Sequence, residues 1–166
     1  EKPKTSDTYP FPQAPDTMVA NFSIASSVVP FPNDLFFAGS TDGTLNLPAQ
    51  AAPPVVFTAA ALNTLDGWST TASSITRFSM PIKASSINAS SVRVVELYLS
   101  NTTKGPAQGA ELPAGVTSPV RRVLRFGTDF TAGVSTAVDS GGRTLEITPL
   151  KPLTPSTGAT NIGYLV

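Results

Sequence analysis

An all-β fold is predicted for this 166-residue chain by three observations. Charged residues make up 13% of the total, about half the roughly 25% usual in globular domains, and Ser, Thr and Asn supply the polarity instead. Sixteen prolines and 12 glycines punctuate the chain too often for long exposed helices, while suiting short strands joined by turns. From Ser69 onward the apolar residues recur with a period of two, the spacing of strands. The length fits one domain or a domain with a substantial arm, at roughly 100 to 200 residues per domain.

Residues 1 to about 54 read as an irregular arm, because Pro at 3, 10, 12, 15, 30, 32, 48, 53 and 54 breaks any periodic pattern. Within it, Val28-Val29-Pro30-Phe31-Pro32-Asn33-Asp34-Leu35-Phe36-Phe37 sets bulky apolar groups beside prolines, which predicts an extended segment docked on an apolar surface. Asp42-Gly43 marks a tight turn, since both residues accept positive φ. A helix is expected from about Pro54 to Asp66, with Pro at its start, Ala59-Ala60-Ala61 in its middle and Gly67 as its C-terminal cap. Phe57, Ala61 and Leu65 would share one face of it, with Leu62 beside them.

Strands are expected at Ile75 to Met80, Ser91 to Ser100, Val120 to Phe126, Val134 to Val138, Arg143 to Thr148 and Asn161 to Val166. In the second, alternation predicts that Arg93, Val95, Leu97 and Leu99 form the mostly buried set, with Val92, Val94, Glu96 and Tyr98 partly buried. About six short strands at this spacing favour an immunoglobulin-like β-sandwich over a barrel. The predicted organisation is an N-terminal arm and helix at 1–68 packed on an Ig-like core at 69–166.

The chain contains no histidine and no cysteine. A Ser-His-Asp or Cys-His constellation needs an imidazole to accept the nucleophile's proton and return it to the leaving group, so those mechanisms are excluded for these residues. Zinc sites of thiolate and imidazole are excluded likewise, and no cofactor is expected. Eleven basic and eleven acidic residues cancel, which leaves no electrostatic footprint for nucleic acid. No apolar run approaches the roughly 20 residues that span a bilayer. The opening Glu1-Lys2-Pro3-Lys4 is no signal peptide, so an exported protein would have lost its leader.

Candidate chemistry is sparse. Gly133-Val134-Ser135-Thr136-Ala137 approaches a nucleophile elbow but lacks the final glycine and the strand-to-helix setting that holds such a serine exposed. No Ser-x-x-Lys pair exists, since Met80, Asn101 and Thr148 stand three places before Lys83, Lys104 and Lys151. Asp34, Asp42 and Asn46 form the one local oxygen-rich group; it lacks calcium-loop spacing and reads as turn and capping residues. Arg121, Arg122 and Arg125 fall in one expected strand, with Arg122 facing oppositely to the other two; they either meet anionic headgroups or an acidic partner, or solvate an outer sheet face. Trp68, the single tryptophan, is either an anchor at a lipid interface or a plug at the base of the sandwich. Asn21, Asn88 and Asn101 open glycosylation-type triplets of the kind expected by chance in an Asn- and Ser/Thr-rich chain.

Three blocks, Val29-Pro30-Phe31-Pro32-Asn33-Asp34-Leu35-Phe36-Phe37, Gly39-Ser40-Thr41-Asp42-Gly43-Thr44-Leu45-Asn46 and Ala61-Leu62-Asn63-Thr64-Leu65-Asp66-Gly67-Trp68-Ser69-Thr70-Thr71, together resemble the N-terminal domain of bacterial extracellular virulence-factor lipases, a group that includes surface lysophospholipases. Gly142-Arg143-Thr144-Leu145-Glu146-Ile147-Thr148-Pro149-Leu150-Lys151-Pro152-Leu153-Thr154-Pro155, returning as Gly163-Tyr164-Leu165-Val166, is similar to the last hairpin of bacterial Ig-like modules. Pro81 to Val94 is similar to the short helical turn and strand of the same module.

The resemblance implies a non-catalytic module of a secreted or outer-membrane-surface lipase. Its partner would be a C-terminal α/β-hydrolase domain of the same chain, expected beyond residue 166 and carrying the Gly-x-Ser-x-Gly serine and its histidine. The chain stops at or just after its last expected strand, which reads as a boundary short of a natural end. No catalytic, cofactor or metal residue carries over. Phe36, Phe37, Trp68, Arg121 and Arg125 are the expected interface residues, toward the hydrolase or a lipid surface. An adhesion or envelope-binding module with no tie to lipid hydrolysis is the alternative, because fold alone does not separate the two.

Overall fold

The computed structural model describes residues 17–24, 26, 28–48, 59–100, 106–157 and 160–166. It is mostly sheet. Six strands, β1 (Ser74–Arg77), β2 (Val95–Leu99), β3 (Val120–Val123), β4 (Phe130–Val134), β5 (Thr144–Pro149) and β6 (Asn161–Leu165), form two three-stranded antiparallel sheets in the orders β1-β5-β4 and β3-β2-β6. One short helix, α1 (Ala59–Leu62), lies in the N-terminal part, and the expected helix start at Pro54 to Thr58 falls outside the described residues. Gly67 does not take the left-handed conformation of a helix cap; α1 has already ended at Leu62, and Leu65 is exposed.

One core joins β4 and β5, through Phe130, Leu145 and Ile147, to the residues just before β2 and just after β3, through Val92, Val94 and Leu124. Consecutive strands β2–β3 and β4–β5 pair as neighbours, whereas β1 to β2, β3 to β4 and β5 to β6 pass from one sheet to the other. The crossings tie the sheets together. The turn between β4 and β5 is held by Asp139, whose Oδ1 accepts from Gly141 N (2.8 Å) and whose Oδ2 accepts from Arg143 N (3.2 Å). That geometry moves β4 earlier than the alternation predicts: Phe130–Val134 forms the strand, and Thr136 to Val138 bends away, because Phe130 is the residue that fills the core.

In β2 and the residues leading to it the burial is the reverse of expectation. Val92, Val94 and Glu96 are buried, while Arg93 is exposed and, of its set, only Leu97 is buried. The glutamate is accommodated inside because cations reach it from the neighbouring strand, as described below.

The arm docks along the free edge of β1. Asn21 N donates to Arg77 O (2.6 Å), and Phe31 and Ile75 exchange backbone hydrogen bonds at 2.9 and 2.7 Å. The β1 edge is therefore covered by the chain itself, which removes a row of open donors and acceptors from solvent.

Candidate functional site

The arm is organised around Trp68. Asn33 caps the 3-10 turn Asp34–Phe37 by accepting from Leu35 N (2.8 Å), and the turn sends Phe36 and Phe37 toward the indole. Trp68 meets Phe31, Phe36 and Phe37 edge-on at ring-centroid distances of 5.1, 5.8 and 5.7 Å, and Phe31 meets Phe36 at 6.1 Å. Edge-to-face placement suits the ring quadrupoles. The indole is half-buried against the arm's own phenylalanines and is no member of the strand core.

The segment after the Asp-Gly turn is woven between the two halves of this unit. Gly43 has φ +82, and Asp42 Oδ1 accepts from Ser40, Thr44 N and Thr44 Oγ1, which closes the turn. The backbone and side-chain hydrogen bonds from Thr44, with one from Ser40, hold the Asp42 carboxyl below its usual range. Asn46 N donates to Phe36 O (2.7 Å), and its side chain donates to Ala38 O (2.9 Å). Leu45 N donates to Leu65 O (2.9 Å), while the Asn63 amide bridges Leu47 N and O at 2.8 and 3.0 Å. Asp42 and Asn46 are thus spent on turn and cap, and among the described residues no group of three or more His, Cys, Asp or Glu is placed to hold a metal ion.

The second polar centre is Glu96, fully buried at 0% exposure. Arg121 pairs with its Oε1. Its Oε2 accepts from Arg122 Nε (3.2 Å), Thr154 Oγ1 (2.9 Å) and the Tyr164 hydroxyl (2.8 Å). Tyr164 in turn accepts from Thr154 N at 2.6 Å, which fastens the segment before β6 to the sheet. Burial by itself would raise the Glu96 pKa, but the hydrogen bonds from Tyr164, Thr154, Arg121 and Arg122 outweigh it and hold the carboxyl below its usual value. Burial and the bond to Glu96 push the Tyr164 phenol up to about 12. A carboxylate held ionised by two arginines and two hydroxyl donors is a weak base, so this centre acts as a fastening between β2, β3 and β6.

Both arginines reach Glu96 because β3 carries a bulge. Val123 lies opposite Val95 and Arg122 opposite Glu96, but Val120 lies opposite Leu97, so Arg121 is the extra residue. The expectation that Arg122 faces away from Arg121 fails for this reason: strict alternation does not survive an inserted residue. Arg125 lies beyond the bulge. Its side chain is exposed, and its backbone N–H donates to Asp129 Oδ2 (2.8 Å). The expected interface residues therefore separate into three places: Phe36, Phe37 and Trp68 in the aromatic unit, Arg121 on Glu96, and Arg125 at the exposed sheet edge. Alternation places Glu96 in the partly buried set but does not mark it as a polar centre; the one further signal is a charged residue amid the apolar run Val92, Val94 and Val95, with an arginine pair on another strand.

What fold and site define is an all-β module whose buried Glu96 centre serves its own architecture. No protein-family model, no curated protein and no solved structure matches the chain.

Proposed function

We propose that this chain is the non-catalytic, Ig-like module of a secreted or surface-attached bacterial lipase or phospholipase, packing on an α/β-hydrolase domain of the same protein. The observation that carries the reading is the aromatic unit. The three sequence blocks that resemble the lipase family, at 29–37, 39–46 and 61–71, come together in it through Trp68, Asn46 and the Leu45–Leu65 backbone bond. Blocks that fold as one body are retained or lost as one body, which supports reading them as a single family signature.

The finer fold is supported by strand order. In an Ig-like assignment β1, β5 and β4 take the places of B, E and D, and β3, β2 and β6 those of C′, C and F, with the arm beside β1 in the place of A. Tyr164 supports it too, because a β6 tyrosine bonded back to the Thr154 backbone, in the connection from β5, resembles the tyrosine corner of such domains.

In this reading the fragment supplies no catalytic group, and the serine, acid and histidine belong to the hydrolase. Phe36, Phe37 and Trp68 are only partly exposed, so contact with the hydrolase falls to the outer side of Phe31, 44% exposed. The protein would work outside the cell or at the outer-membrane surface. A carboxylic-ester assay on the purified fragment tests the division of labour: no turnover is expected, and activity surviving repurification overturns it. Sequencing the reading frame tests the family; absence of a Gly-x-Ser-x-Gly segment followed by an acidic residue and a histidine sinks the lipase assignment.

A further inference from the structure

The charge of the chain is zero in sum and divided in place. Residues 1–68 hold two cations against six carboxylates, net −4, and residues 69–166 hold nine cations against five carboxylates, net +4. Among the described residues no ion pair joins the two sets. Among the described residues the ion pairs, Arg77–Asp139, Arg121–Glu96, Arg122–Glu96 and Lys151–Asp129, all lie within the positive half.

Each half carries an exposed apolar surface of its own sign. On the β3-β2-β6 sheet, Val123, Val95 and Leu165 are cross-strand neighbours in one row, on the face opposite Glu96 and Tyr164. Val123 is 56% and Leu165 60% exposed. The bulge returns Val120, 46% exposed, to this face as well. Leu124 N donates to Val94 O, so the pairing continues past Val95, and Arg93 and Arg125, both exposed, stand two residues beyond Val95 and Val123 on the same face. On the arm, the segment Leu45–Leu47 bonds to Phe36 through Asn46 and to Leu65 through Leu45, which sets Asp34-Leu35 and Leu65-Asp66 on either side of it. Leu35 and Leu65 are 44% and 45% exposed, and the described residues from 17 to 73 hold three carboxylates and no cation.

We propose that the Arg93/Arg125 face of the β3-β2-β6 sheet docks the acidic, apolar arm of a second copy of this chain. Complementary charge and two exposed apolar patches favour this head-to-tail contact. Pairing two such sheet faces with each other would bring Arg93 and Arg125 against like charge, and an anionic membrane would be repelled by the arm. Head-to-tail contact uses two different surfaces, so association continues into chains or rings rather than stopping at a two-fold dimer. The inference stands apart from the lipase reading.

Sedimentation of the whole chain across concentration tests it, with vesicle co-sedimentation alongside. The mass should rise with concentration in low salt, and association should weaken about tenfold or more between about 0.02 M and about 0.5 M NaCl. The double variants D34K/D66K and R93E/R125E should each stay monomeric alone, with unchanged far-ultraviolet circular dichroism. Mixed together they should associate, because the reversed arm of one meets the reversed sheet of the other. A wild-type chain that stays monomeric in low salt, self-association indifferent to both variants, or a mixture that stays monomeric overturns the proposal. So does monomeric protein that binds phosphatidylglycerol vesicles through Arg93 and Arg125, which would make the occupant a lipid surface.

Discussion

Glu96 shows how partners distant in the chain decide which face of a strand is inside. A carboxylate at full burial is tolerated only with cations and hydrogen-bond donors in place, and Arg121, Arg122, Thr154 and Tyr164 provide both. Glu96→Ala should cost about 3 kcal/mol in urea unfolding, the lower end for breaking a buried pair, since both arginines are partly exposed and rehydrate. Gly163 is a second single-residue constraint. A Cβ there would lie 2.5 to 2.9 Å from the end of the Leu99 side chain, so the leucine occupies the space a side chain would need. Gly163→Ala should therefore destabilise by about 1–3 kcal/mol as an overpacking change. Leu99→Ala in the same background should recover part of that loss, and simple additivity of the two would refute the packing argument.

At the scale of the element, the bulge in β3 couples two strands through a shared carboxylate. Double-mutant cycles of Glu96→Gln with Arg121→Met and with Arg122→Met should each give a coupling of about 1–3 kcal/mol; additive losses would mean that the arginines act independently of Glu96. The pH dependence follows from this cluster together with the turn carboxylates Asp129 and Asp139. The folded pKa of Glu96 lies below its ordinary 4.5, and those of Asp129 and Asp139 below their ordinary 3.8. Stability from these groups is complete above the unfolded values and is lost as pH falls through the folded ones. The Tyr164 phenol shifts the other way, from 10.0 to about 12, so its contribution is complete below pH 10 and is lost between there and 12. Thermal melts should be flat in between, and Glu96→Gln should flatten the acid limb; an acid limb identical to the wild type would show that other carboxylates govern it.

For the whole molecule, the arm is part of the β-structure and not an appendage. Its backbone bonds at Asn21 and Phe31 cover the β1 edge, and its aromatic unit closes on Trp68 just before the strands begin. A chain trimmed to residues 69–166 should expose that edge and aggregate, with light scattering rising at concentrations where the full chain stays clear. A soluble, folded trimmed chain would show that the arm is dispensable. Much of the molecule was legible in sequence at this scale. The period-two pattern located five of the six strands to within a few residues, and Asp42-Gly43 located the turn. β4 was misplaced because Thr131, Ala132 and Gly133 carry no strong alternation, and the core contact that defines the strand comes from Phe130 at its start.

The sequence by itself determined the β-class, the punctuation of the strands and the absence of imidazole and thiol chemistry, because these follow from local periodicity, turn residues and composition. The tertiary structure alone decided which face of β2 is buried, which arginines are spent internally and where the aromatic unit closes. Those outcomes depend on partners distant in the chain: Glu96 with Tyr164 across 68 positions, and Phe31 with Trp68 across the arm. Local sequence fixes what a residue can form, whereas its burial is set by whatever the fold brings against it.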